Sequence, residues 1–203
     1  MRGLLSPFNR LIAFAAALAV IAIFPLYSRA ADAPFPISSP FTGEEIGKGA
    51  AGFRQYETRY ATVYYRSDKD FYGFSRNIGS LGIFGRSLEN AAVKTRERVD
   101  AVVDRVETIL DMHPANLRVA VYVYPTQKEL EEVYRGMDLY SEAPIAFYSS
   151  RQKAIFVSAE NVTEGVLAHE FAHAVICFYF VTPPPARMQE ILAQFVDRNL
   201  WQE

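Results

Sequence analysis

Along the chain, hydrophobic and polar positions fall into blocks of different period. Leu11 to Phe24 is an unbroken run of 14 apolar residues that Pro25 closes. Residues 31–52 have no period: Pro34, Pro36, Pro40, Gly43, Gly47, Gly49 and Gly52 punctuate a Ser/Thr-containing stretch, the composition of a linker. Thr58 to Arg66 (TRYATVYYR) is β-branched and aromatic, which predicts a strand. Ser67 and Asp68 suit a helix start, with a short helix to follow before a Gly-rich turn at 79–85. The aromatic residues between 53 and 74 read as core and hairpin packing.

From Ser87 to Met112, apolar residues recur at helical spacing (Leu88, Ala92, Val99, Val102, Val103, Val106, Ile109, Leu110) until Pro114 ends the pattern. LRVAVYVY (117–124) predicts a buried strand. Thr126 with Glu129 predicts a capped helix to about residue 136. IAFYS (145–149) and AIFVS (154–158) predict a hairpin. Asn161 with Glu164 reads as the cap of an apolar helix reaching about Phe178. After Pro183, Pro184 and Pro185, a last helix is expected from Ala186 to Trp201. Strands mixed with helices, without strict alternation, point to an α+β domain.

The first thirty residues read as an export signal. Arg2 and Arg10 precede the apolar run, and Ser28-Arg29-Ala30 has the small-x-small form of a cleavage site. The run falls short of the roughly 20 residues that a spanning helix needs. The expected organisation is therefore a signal peptide at 1–30, a flexible linker at 31–52 and one domain at 53–203, periplasmic or secreted. A membrane enters only if the signal stays uncleaved. Residues 1–30 hold three of the 21 basic side chains and none of the 23 acidic ones, so the remainder carries a formal charge of −5. With no basic run, nucleic acid is not an expected partner. One cysteine excludes a disulfide framework and a multi-Cys zinc ribbon.

The chemistry concentrates in His169-Glu170-Phe171-Ala172-His173, an H-E-x-x-H inside a predicted helix. Residues i and i+4 share a helix face, so both imidazoles reach one metal ion. Glu170 stands about 100° around the helix, where it can touch a water on that metal without ligating it. The metal acidifies water and polarises a carbonyl, and the carboxylate takes the proton. By chance this pattern arises in roughly three chains per thousand of this composition. A helix burying His, Glu and His without a metal would need partners for all three, at about 1–3 kcal/mol for each one unmet. A catalytic zinc usually has a third protein ligand. Glu190 lies seventeen residues after His173, beyond the triple proline that lets the next helix fold back.

VLAHEFAHAVI (166–176) and PARMQEILAQFV (185–196) resemble the gluzincin metallopeptidases, the thermolysin-like clan in which H-E-x-x-H is followed by a glutamate on a second helix. The resemblance implies a zincin-like fold: a small mixed β-sheet packed on an active-site helix, followed by a second ligand helix. It implies Zn2+ held by His169, His173 and Glu190, with Glu170 as general base and a peptide or protein as substrate. Ala193 matches the small residue that packs on the active-site helix. An edge strand, 145–149 or 154–158, would pair with the bound peptide.

The sequence departs from the family pattern in two places. Gln194 stands where an acid commonly orients a histidine; an amide can still accept from an imidazole N–H. No histidine follows His173, so the oxyanion partner has no counterpart beyond the candidates Tyr148, Tyr179 and Arg187. His113 is read as a helix-end residue and Cys177 as a buried thiol. The alternatives are a zinc-binding module of the same fold acting in protein interaction without turnover, and a membrane-tethered interaction protein with an accidental motif.

Overall fold

A computed structural model describes residues 52–79, 88–137 and 142–202. The expected signal peptide, nearly all of the expected linker and most of the Gly-rich turn lie outside the described residues.

The elements in chain order are strands β1 (Arg54–Glu57) and β2 (Ala61–Tyr65), helices α1 (Asp68–Asn77) and α2 (Leu88–Leu110), strand β3 (Val119–Tyr124), helix α3 (Gln127–Gly136), strands β4 (Ala146–Ser149) and β5 (Ala154–Ser158), and helices α4 (Glu164–Tyr179) and α5 (Ala186–Asn199). The fold is α+β, and its five-stranded sheet has the order β1-β2-β3-β5-β4. The three central strands run parallel, and each outer strand is antiparallel to its neighbour. Parallel central strands are buried on both faces, which is why VAVYVY and AIFVS read as nearly continuous apolar runs.

The faces divide the residues by period two. Val63, Val121, Ile155 and Val157 join the main core with α1, α2 and α4. On the other face, Tyr64, Tyr122, Phe156 and Phe147 stack in a row across four strands. Leu130 and Tyr134 of α3 cover that row. Among the described residues, no helix is long and apolar enough to cross a membrane.

Three boundaries differ from the sequence reading, each for a local reason. The predicted strand 58–66 is a turn followed by β2. The Thr58 hydroxyl accepts from the backbone N–H of Tyr60 and of Ala61, and this bends the chain so that Arg54–Glu57 pairs back as β1. Helix α4 starts at Glu164, capped by Thr163, whose hydroxyl accepts from Val166 N–H at 3.3 Å. Asn161 instead belongs to the preceding turn, its N–H donating to Ser158 O. Helix α5 stops at Asn199, where Arg105 of α2 donates to the carbonyls of Leu200 and Gln202.

Candidate metal centre

Helix α4 runs beneath the sheet against β4, with α2 and α5 packed on it. Its sequence suits burial: from Leu167 to Ile176 all but His173 are buried, and the polar members of that stretch are His169, Glu170 and His173. Pro183, Pro184 and Pro185 turn the chain, and α5 returns along α4 with Ala193 and Val196 buried between them. Ala193 has no exposed surface, as expected for the small residue at the helix crossing.

This return brings Glu190 to the two histidines. His169 Nε2 and His173 Nε2 are 3.3 Å apart. Glu190 Oε1 lies 3.6 Å from His169 Nε2, and Oε2 lies 3.5 Å from His173 Nε2. The three residues form a group that could hold a metal ion. Four tetrahedral ligands at 2.0–2.1 Å from a metal stand about 3.3 Å from one another. The separation of the two imidazole nitrogens matches that figure, one donor atom from each of the three residues lies within 4.8 Å of the others, and two imidazoles with one carboxylate form a suitable donor set.

Glu170 is 4% exposed and lies close enough to His169, His173 and Glu190 to feel the charge of each. Burial holds its carboxyl above the ordinary carboxylate range, opposed by the two histidines and reinforced by Glu190. The backbone N–H of Tyr148 donates to it. That N–H is available because β4 is an edge strand. Ser158 N–H bonds to Ile145 O, so alternation leaves the N–H and C=O groups of Ala146 and Tyr148 pointing off the sheet. Of the two strands that the sequence offers for peptide pairing, 154–158 is therefore ruled out. As β5, it is paired on both sides, to β3 and β4.

The site's charges are coupled. Burial alone would raise the Glu190 carboxyl, but contacts with His169 and His173 and the Gln194 amide hold it well below the ordinary range. Burial would depress His169, but the Glu190 contact and the charges of Glu170, Glu190 and Asp197 raise it. Gln194 does not act as an acceptor here. Its Nε2 donates to Glu190 Oε1 at 3.0 Å.

The remaining candidates lie elsewhere or face elsewhere. His113 is exposed and contacts Glu107 at 3.3 Å, away from the cluster. Cys177 donates to Gln189 Oε1 at 3.7 Å, and burial pushes its thiol up to about 11, so it is not a ready thiolate. The Tyr148 ring packs on the main core beside Cys177. Tyr179 and Arg187 are exposed. Sequence reading missed the Tyr148 backbone donor, which no side-chain motif encodes, and Asp197, whose place beside α4 depends on the angle of α5.

No family model matches the chain, and neither the curated proteins nor the solved structures contain a match.

Proposed function

We propose that this protein is an exported zinc-dependent peptidase with a zincin-like fold. The observation that carries the reading is the convergence of one donor atom each from His169, His173 and Glu190 within 4.8 Å of one another, with buried Glu170 beside them and the edge strand β4 alongside. His169, His173 and Glu190 hold the metal, and zinc suits two imidazoles and a carboxylate. Bound zinc supplies Lewis acidity, polarising a carbonyl and acidifying water.

The chain's own residues do the rest. An extended peptide pairs with β4 through the outward groups of Ala146 and the outward carbonyl of Tyr148. Glu170 takes the proton of the attacking water at its carboxylate and passes it to the leaving amine. The N-terminal segment's charge and apolar pattern supports export, periplasmic or secreted.

The test separates metal from chemistry. Zinc per chain and cleavage of a mixed peptide library are measured for the wild type, Glu190→Ala and Glu170→Gln. About one zinc is expected in the wild type, with much weaker binding in Glu190→Ala. Glu170→Gln should keep its zinc and lose peptidase activity by about 100-fold or more. Full activity in a zinc-loaded Glu170→Gln protein would sink the mechanism.

A second reading keeps the metal and drops turnover, as in a zinc-binding module acting in protein interaction. The inward packing of the Tyr148 ring and the exposure of Tyr179 and Arg187 favour it, since none is held in the cluster as an oxyanion partner. A zinc-replete wild type that cleaves nothing in the library would select this reading.

A further inference from the structure

Gln194 sits one turn past Glu190 on α5, half-buried, with its amide Nε2 donating to Glu190 Oε1 at 3.0 Å. A carboxylate only accepts, so the amide must present its NH2 group and its orientation is fixed. The bond ties one oxygen of Glu190 to its own helix, while Oε2 stays 3.5 Å from His173 Nε2. An acid at 194 could not donate this bond. It would place a second negative group against a carboxylate already beside buried neighbours.

We infer that Gln194 is the positioning residue of Glu190: it orients the third ligand of the metal group, and an acidic side chain at 194 is incompatible with that task. This reverses what the gluzincin resemblance implies for the position, where an acid orients a histidine. The negative charge acting on His169 from α5 instead includes that of Asp197, one turn further on. Asp197 Oδ1 occupies the space beside Gly165, one turn before His169 on α4, where an added Cβ would stand 2.3 Å from it.

The inference rests on the proposed metal site, and its experiment distinguishes the failure of one from the failure of the other. Zinc affinity of the full chain is measured by competition with a chelating dye for the wild type, Gln194→Met and Gln194→Glu. Cobalt(II) absorption and the unfolding midpoint in chelator are recorded for each. Gln194→Met keeps volume and helix propensity while removing the donor.

The expected result is zinc binding about 10-fold or more weaker in Gln194→Met and weaker still in Gln194→Glu. The cobalt spectrum should shift in both, out of proportion to any change in the unfolding midpoint. Gln194→Glu binding as tightly as the wild type, or more tightly, overturns the inference while leaving the metal site standing. Affinity losses that merely track the loss of stability, with an unchanged cobalt spectrum, overturn it as well. A wild type that binds neither metal overturns both the inference and the site.

Discussion

Helices α4 and α5 both supply ligands to one cluster, yet they are held in place differently. Helix α4 is packed on by the sheet, α2 and α5, and its apolar residues are buried on nearly every side. Its start is capped by Thr163. Helix α5 buries only Ala193 and Val196 along its length, and Met188, Ile191 and Phe195 lie about half exposed on its outer face. Pro185 at its start has no side chain to cap it. It is held by Ala193 and Val196 packed on α4, by Arg105 donating to the carbonyls after its last turn and by Trp201 Nε1 donating to Glu164. The bonds of Gln189 to Pro184 and of Gln194 to Glu190 are local to α5. The histidines are thus fixed deep in the hydrophobic core, whereas Glu190 rides on a helix that packs through one narrow face. Metal affinity is most easily tuned from α5, and fold stability is most easily lost from α4.

The sharpest way to break this comparison is to make one substitution on each helix. Phe171 of α4 has no exposed surface, whereas Phe195 of α5 is 53% exposed. Phe171→Ala should cost about 3–5 kcal/mol, from lost transfer energy and the cavity left behind. Phe195→Ala should cost under about 1 kcal/mol, because much of its ring is already in water. Urea unfolding of both variants measures the difference. Equal losses would mean that the outer face of α5 is covered in solution.

The buried helix was also the more legible one. H-E-x-x-H needs only the 3.6-residue period to place two imidazoles on one face, so His169 and His173 could be paired without tertiary knowledge. Glu190 needed the triple proline to suggest a return and the family resemblance to name it, because the angle between two helices is set by side-chain packing that no local pattern records. The strands of the central sheet were visible as apolar runs. Strand β1 was not, since RQYE is mostly exposed and polar and forms a strand only because the Thr58 turn offers it to β2. The hairpin 145–158 was legible, but its edge was not. Which of its two strands lies outermost depends on β3 pairing with β5, a contact distant in sequence. The donor to Glu170 follows from that edge and belongs to the backbone, so it left no trace in residue types.

Start signals give the next effect in size. Thr163→Ala removes the hydroxyl that accepts from Val166 N–H and should destabilise the fold by about 1 kcal/mol. Asn161→Ala, at the position that the sequence pattern favours as the cap, should cost less, because Asn161 is exposed in the turn before the helix. Thermal unfolding of the two variants ranks them, and a larger loss for Asn161→Ala would move the helix start.

The smallest expected effect tests the contact between the helices themselves. Gly165 lies in the first turn of α4 with Asp197 Oδ1 against it, and an alanine Cβ there would stand 2.3 Å from that oxygen. Alanine in a helix is favoured over glycine by up to about 1 kcal/mol. In the wild type, Gly165→Ala should realise little of that gain, since Asp197 must swing away from the positive end of α4, where a negative charge is favourable by about 0.3–1 kcal/mol. In an Asp197→Ala background the obstruction is gone, and Gly165→Ala should stabilise by roughly 0.5 kcal/mol or more. A double-mutant cycle in urea reads the coupling directly, and contacting residues give about 0.5–3 kcal/mol of it. Zero coupling would mean that Asp197 does not rest on Gly165, leaving the bond from Trp201 Nε1 to Glu164 Oε2 as a polar tie between the end of α5 and the first turn of α4.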